Sequence, residues 1–179
     1  MKGIIFNLVE EVVTDSYGAE TWDGLLDEAG LDGSYTSLGN YPDDDLHGLV
    51  RAASAALETP ADDVIRAIGE QALPRLAVRY PDFFEGHGCR SFLLTLNDII
   101  HPEVRKLYPG ADVPDFTYED SGSDTMLIGY RSARQLCALA EGFVLGAASH
   151  FGEAVALDQV SCMHRGDDRC VLRVRFLAV

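Results

Sequence analysis

The feature that most limits the fold is a change in hydrophobic period about two thirds of the way along the chain. In the first part, apolar residues recur every three or four positions, as in residues 3–16, which is typical of helices packed on one face. Near the end, residues 170–176 alternate between two parities after a turn-rich stretch at 165–168, which predicts a β-hairpin. We therefore expect an α+β fold, with a helical part followed by a small antiparallel sheet.

Turn and cap signals divide the chain into elements. Thr59 is expected to cap a helix that Pro60 opens, and Pro74 is expected to kink that helix. A helix inserted between the strands follows the strand 125–129. The predicted helices cover residues 3–16, 21–28, 42–56, 59–76, about 90–107 and 132–150, and the predicted strands are 125–129 and the two arms of the terminal hairpin.

Length and charge narrow the class of protein. The 179 residues fit a single domain, 1–179, and 14 basic against 29 acidic residues give a formal net charge of −15. A surface of that sign repels nucleic acid and anionic membranes, so neither is expected as a partner.

No apolar run approaches the ~20 residues of a membrane helix. The apolar start is interrupted by Glu10 and Glu11 and does not resemble a secretory signal, so a cytoplasmic protein is expected.

His101 is the first candidate for a functional residue. It shares a predicted helix face with Leu94, Val104 and Tyr108, and Pro102 follows it directly. Because proline removes a backbone donor and disfavours helix at the residue before it, His101 is expected at a kink or break. On these grounds alone, a hydrogen-bonded core histidine is the more common outcome.

A second candidate follows the strand 125–129. In extended chain, Tyr130, Ser132 and Arg134 lie on one face and present a phenol, a hydroxyl and a guanidinium in one direction. Such converging donors suit a pair of carboxylates, one of which Arg134 can bind through two parallel hydrogen bonds. A solvated strand end is the alternative that the chemistry of these residues leaves open.

Together these two motifs resemble a known family. The run Leu96–Ala111, which contains His101 and Pro102, then Pro114, and then the tyrosine-x-serine-x-arginine motif at 130–134 are similar to the haem–nitric oxide/oxygen binding (H-NOX) domain. That domain is related to the haem domain of soluble guanylate cyclase. The resemblance covers nearly the whole chain, from Met1 to the terminal hairpin.

The resemblance implies roles that the residues alone left open. His101 would be the axial ligand of a haem b iron, and Tyr130, Ser132 and Arg134 would hold the two propionates. Pro114 matches a family proline that presses on the porphyrin, and distortion of the macrocycle is one way in which proteins tune haem. The haem would lie buried between the helical part and the sheet.

The resemblance also assigns a gas pocket that is apolar throughout. Oxygen-binding relatives carry a tyrosine where this chain has Leu139, so we expect binding of nitric oxide and carbon monoxide but not stable binding of oxygen. Tyr80 is the nearest other donor and is expected at the pocket edge. The implied pocket residues are Ile5, Val9, Ala72, Leu76, Leu139 and Phe143.

Three cysteines form the third candidate. Cys162 and Cys170 flank the hairpin turn, and Cys137 lies on the inserted helix. Some relatives bind structural zinc through three such cysteines and a histidine, but here Gln159 stands at the histidine position. His164 is a possible substitute, and three thiolates with one imidazole form a sound tetrahedral set. Zinc, a redox pair and inert buried thiols all remain open.

These observations predict a sensor of nitric oxide that is not an enzyme. By resemblance, the partner is a sensor histidine kinase or a cyclic-di-GMP enzyme, controlled by a shift of the His101 helix. The alternative is a zinc or redox interaction module in which Cys137, Cys162 and Cys170 are the sensing element.

Overall fold

In the part of the chain that the structure describes, six α-helices precede the sheet and a seventh lies between its strands. The computed structural model describes residues 1–120, 122 and 124–178. The expected α+β class is confirmed. Within the described residues the α-helices are α1 Gly3–Tyr17, α2 Ala19–Ala29, α3 Asp43–Leu57, α4 Ala61–Arg79, α5 Cys89–Leu94, α6 His101–Leu107 and α7 Cys137–His150.

The sheet has four antiparallel strands in the order β1-β2-β4-β3. They are β1 Asp115–Asp120, β2 Thr125–Arg131, β3 Ala154–Ser161 and β4 Cys170–Leu177. The alternation predicted for the last strand is confirmed, because Cys170, Leu172 and Val174 are all fully buried. Strand β1 was not predicted, although its aromatic residues Phe116 and Tyr118 alternate with polar ones.

Helix α4 packs closely on α7 through two glycines. A Cβ atom added to Gly142 would lie 2.1 Å from the Arg66 carbonyl oxygen, and one added to Gly69 would lie 2.6 Å from the Leu139 carbonyl oxygen. Side chains at these positions would hold the two helices apart. Arg66 also pairs with the buried Glu141 of α7 at 2.7 Å. The α4–α7 contact is therefore a rigid part of the domain.

Several helix boundaries differ between the prediction and the structure. The single helix predicted over about 90–107 is divided into α5, one turn of π-helix at Leu96–Ile100, and α6. Pro102 stands at the start of α6, where its missing N–H leaves no helical bond unmade. The helix predicted from Ser132 begins at Cys137 instead.

The predicted start of α4 also differs in its cap. Pro60 is the capping residue, and the Thr59 hydroxyl donates to the Leu57 carbonyl oxygen at 3.0 Å rather than to the new helix. The helix runs through Pro74 as one element. Among the described residues, none of the helices combines the length and the apolar character that crossing a bilayer requires.

Candidate functional site

A cavity of about 300 Å³ lies between the helical part and the sheet. That volume is at the lower end of small-molecule sites. Helices α1, α4, α5, α6 and α7 and strands β1 and β2 all contribute to its lining, and we name two parts of that lining separately. The helical wall consists of Ile5 on α1, Leu76 on α4, and Leu139 and Phe143 on α7; the His101 wall consists of Ile100 on the π-helical turn and His101, Val104 and Leu107 on α6.

His101 is the first residue of α6 and follows the π-helical turn. Turns of π-helix occur frequently at functional sites, because the extra residue re-aims the side chains around it. The His101 ring stacks on Phe116 of β1, with ring centroids 5.6 Å apart. The chain is helical on both sides of His101, so the predicted break is a junction between the π-helical turn and α6, and the His101 side chain lines the cavity.

The electrostatics of His101 favour a neutral ring. Burial, reinforced by Arg105, lowers the pKa of His101 to about 4, and Asp115 and the Pro114 carbonyl only partly oppose this. Its Nδ1 atom is buried and makes no hydrogen bond of normal geometry within the described part of the chain. A neutral imidazole with an unsatisfied nitrogen is in the form that binds a metal ion.

Tyr130, Ser132 and Arg134 all line the same cavity. Burial raises the pKa of Tyr130 to about 12, so its hydroxyl stays protonated at neutral pH. That hydroxyl accepts the Leu136 N–H at 3.1 Å, and Ser132 Oγ accepts the Arg134 N–H at 3.2 Å. The three side chains are thus brought together at one place, with the tyrosine and serine oxygens fixed by backbone amides.

Arg134 contacts two carboxylates that sequence reasoning did not foresee. Its guanidinium lies 2.9 Å from the Asp43 carboxylate and 3.0 Å from that of Asp112. The amino group of Met1 also donates to Asp43, at 2.6 Å. Burial by itself raises the pKa of Asp43. The Met1 amino group and the Arg134 guanidinium outweigh this effect and hold that pKa below its ordinary value. These partners lie far away in sequence, and no short motif marks them.

Most of the predicted pocket residues reach the cavity, but two do not. Ile5, Leu76, Leu139, Phe143 and Pro114 line it. Val9 and Ala72 are each 2% exposed and belong to the helical core, outside the residues that line the cavity. Val9 lies one helical turn from Ile5, and Ala72 lies one turn from Leu76, so each pair shares a helix face. Helical periodicity therefore predicts the same environment for both members of a pair, but only Ile5 and Leu76 line the cavity.

The structure adds lining residues that sequence reasoning missed. Lys2, a buried charged residue, donates to the Leu38 carbonyl oxygen at 3.2 Å and lines the cavity. Tyr80, expected only at the pocket edge, lines it together with Tyr108, and their hydroxyl oxygens lie 2.5 Å apart. The position of Tyr108 after the His101 helix was the available signal.

The cysteine group is partly as expected. The sulfur atoms of Cys137, Cys162 and Cys170 lie within 4.8 Å of one another, and all three residues are buried. His164 is not part of this group, because its exposed ring contacts the Gln135 carbonyl oxygen at 2.7 Å. Zinc prefers four protein ligands in a structural site. The structure does not support the predicted four-ligand set, since the imidazole is engaged elsewhere.

The residues around the cavity fit a haem. The apolar lining suits a porphyrin ring, the neutral imidazole of His101 faces the cavity and suits an iron atom, and Arg134 with Tyr130 suits carboxylates. The fold and this donor set define a haem-binding sensor domain. Comparison with known proteins leads to the same class.

The family model described as "Haem-NO-binding" matches residues 2–159. A crystal structure of an H-NOX protein from S. oneidensis in the Fe(II)NO state is 33% identical, with a TM-score of 0.93, covering 99% of this chain and 100% of that one. An NMR structure of an H-NOX domain from Shewanella oneidensis in the Fe(II)CO state is 32% identical, with a TM-score of 0.90 and full coverage of both chains.

The likeness extends to a more distant relative. The Fe(II) unliganded H-NOX protein from K. algicida is 25% identical, with a TM-score of 0.88, covering 100% of this chain and 98% of that one. The chain belongs to the Haem-NO-binding (H-NOX) family. It therefore has the fold of a haem-based gas sensor, and members of this family are sensor domains rather than enzymes.

Proposed function

We propose that residues 1–179 form a single haem b domain that senses nitric oxide, with His101 as the axial ligand. The observation that carries this proposal is the half-buried, neutral His101 ring in an apolar cavity. Among the described residues its buried Nδ1 makes no hydrogen bond of normal geometry. In this proposal Tyr130, Ser132 and Arg134 hold the two carboxylates of the cofactor. A ferrous haem supplies the iron atom that takes up the diatomic gas.

The lining of the helical wall supports a preference among gases. Ile5, Leu76, Leu139 and Phe143 carry no hydrogen-bond donor on their side chains. Stable oxygen binding depends on such a donor, which is worth ~1.5–3 kcal/mol toward a charged acceptor. Nitric oxide and carbon monoxide depend on it far less, so this wall favours them.

Arg134 is proposed to bind a carboxylate of the cofactor while it keeps a contact with the protein. A guanidinium has five N–H donors, and its contacts with Asp43 and Asp112 use only Nε and one terminal nitrogen. Arg134 can therefore keep the Asp43 contact while it binds a carboxylate of the cofactor. This arrangement places a cation where a protein of net charge −15 must hold an anionic group.

Signal output is proposed to pass through α6. Release or retention of His101 changes the position of this helix against α1 and α4. A partner, which we propose to be a sensor histidine kinase or a cyclic-di-GMP enzyme, responds to that shift. The coupling can be no larger than the difference in gas affinity between the two positions, commonly ~1–3 kcal/mol.

The test of the gas preference compares the reduced protein with a Leu139→Tyr variant in air and under carbon monoxide. We expect the wild-type protein to bind carbon monoxide and to form no lasting oxygen complex. The variant, which adds a donor to the helical wall, should gain oxygen affinity by tenfold or more. A stable oxygen complex of the wild-type protein at room temperature would refute the preference.

One observation favours a second candidate function, a thiol redox sensor. The Cys137 and Cys162 sulfur atoms lie 3.9 Å apart, so a modest side-chain movement would allow a disulfide. The discriminating experiment measures which substitution, His101→Ala or Cys162→Ser, abolishes control of the partner. Loss of the nitric oxide response only in Cys162→Ser would favour the thiol sensor.

A further inference from the structure

The helix that carries His101 is half-buried in its first four residues and exposed over its last three, 105–107. No residue of α6 is buried. The first buried residue after it is Tyr108, which is 8% exposed and ends the helix with its N–H donating to the Val104 carbonyl oxygen at 2.8 Å. The C-terminal end of α6 is therefore fixed mainly through this tyrosine.

Tyr108 meets a residue in the corresponding position on α4. Tyr80 ends α4 in the same way, with its N–H donating to the Leu76 carbonyl oxygen at 2.8 Å. The two residues have similar backbone angles, φ −133° and ψ 58° for Tyr80 and φ −124° and ψ 79° for Tyr108. Their hydroxyl oxygens lie 2.5 Å apart, which is a hydrogen bond across 28 residues of sequence.

Helix α4 is the firmly held partner in this contact. Arg75 pairs with Asp15 of α1 at 2.6 Å, and Arg79, directly before Tyr80, pairs with Glu11 of α1. The opposite side of α4 packs on α7 through Gly69. A bond from Tyr108 to Tyr80 therefore attaches the exposed C-terminal end of α6 to a well-packed helix.

We propose that the Tyr80–Tyr108 hydroxyl pair is a latch that positions α6 and limits how far His101 can move away from the cavity. Tyr80 and Tyr108 are positioning residues, since they act on the site through α6. Burial raises the pKa of Tyr108 to about 12, so its hydroxyl stays protonated across the physiological range. The link between the latch and gas sensing rests on the proposed function, whereas the latch itself does not.

The test uses hydrogen–deuterium exchange of the α6 amides, residues 103–108, in the haem-loaded and haem-free protein. The variants are Tyr108→Phe, Tyr80→Phe and the double variant. Tyr118→Phe is the matched control, because it removes a buried hydroxyl that has no hydrogen-bond partner in the described residues. A net hydrogen bond of about 1 kcal/mol corresponds to about fivefold faster exchange in either latch variant.

The double variant should exchange no faster than the single ones, since all three lack the same bond. Equal exchange in Tyr108→Phe, Tyr80→Phe and Tyr118→Phe would overturn the latch. Should Tyr108→Phe fail to fold, Tyr80→Phe carries the test, because Tyr80 is only partly buried.

A second readout connects the latch to His101. In the nitric oxide complex, absorption spectra report the fraction of molecules that keep the histidine bond. We expect the ratio of molecules that keep the histidine bond to molecules that have lost it to fall about fivefold in both latch variants. The ratio should be unchanged in Tyr118→Phe. A protein that binds no haem would refute the proposed function, while the exchange experiment on the haem-free protein would still decide the latch.

Discussion

The two walls of the cavity are held in different ways. In the helical wall, α4 and α7 meet backbone to backbone at Gly69 and Gly142, and α4 is paired with α1 through Arg75 and Asp15. In the His101 wall, α6 has no buried residue and follows a turn of π-helix. The first wall is held by close backbone packing, and we expect any movement at the cavity to occur in the second.

Under the proposed function, this difference places the residue that responds to the gas in the less deeply buried element. Regions with few buried apolar contacts open at lower free energy than the packed core. In the proposed function, a gas that acts through His101 therefore acts on an element with fewer buried residues than the helical wall. The proposal thus assigns gas selection to the helical wall and signal output to α6.

The largest effect is expected where the helical wall is tightest. Gly142→Ala puts a Cβ atom 2.1 Å from the Arg66 carbonyl oxygen, so α4 and α7 must separate. We expect the free energy of unfolding to fall by about 3 kcal/mol, measured by urea denaturation.

The control for that experiment is Gly24→Ala on α2. A Cβ atom there meets nothing within 4 Å, and alanine favours a helix over glycine by roughly 0.5–1 kcal/mol. This variant should be slightly more stable than the wild type. If Gly142→Ala behaved like Gly24→Ala, the helical wall would not be rigid.

The next effect concerns the charge of His101 in the haem-free protein. The folded pKa of His101 is about 4, below the ~6.5 of an unfolded histidine. Between these values the unfolded chain binds a proton that the folded chain does not, so stability falls as the pH drops from about 6.5 toward 4. From this group we expect a loss of about 2 kcal/mol between pH 7.5 and pH 5.

The loss is measured by urea denaturation at the two pH values, with His101→Leu as the control. The leucine variant lacks this contribution but keeps those of the carboxylates, including Asp43. An identical pH dependence in the two proteins would mean that His101 is not held neutral by burial.

A smaller effect separates Arg134 from Ser132 in retention of haem. Hydrogen bonds to charged groups are worth about twice as much as neutral ones. We expect haem to dissociate about thirtyfold faster from Arg134→Ala and about fivefold faster from Ser132→Ala, measured by transfer to excess apomyoglobin. Equal rates would contradict the assignment of the charged contact to Arg134.

The sequence was sufficient to predict the elements with a strong period or a strong breaker. Helix α1 and strand β4 follow from periodicity, and Pro102 indicated an irregularity at His101, which is the junction of the π-helical turn and α6. Strand β1 was missed because Phe116 and Tyr118 alternate over only 6 residues after a proline. The π-helical turn was missed because its residues have an ordinary helical pattern.

The site was predictable where a motif is local. Tyr130, Ser132 and Arg134 are close in sequence and line one cavity. The contact of Arg134 with Asp43 spans 91 residues, and only the fold brings the two together. His164 was misplaced for a similar reason, since a 3₁₀ turn at Met163–Arg165 directs it to Gln135 instead of the cysteines.

The absorption spectrum of the purified ferrous protein, recorded before and after addition of nitric oxide, tests the central claim most directly. We expect one haem per chain, a spectrum of histidine-ligated ferrous haem, and a complete change when nitric oxide is added. His101→Ala should lose the haem unless imidazole is supplied. A ferrous spectrum that nitric oxide leaves unchanged, or an unaltered histidine-haem spectrum in His101→Ala, would contradict the account.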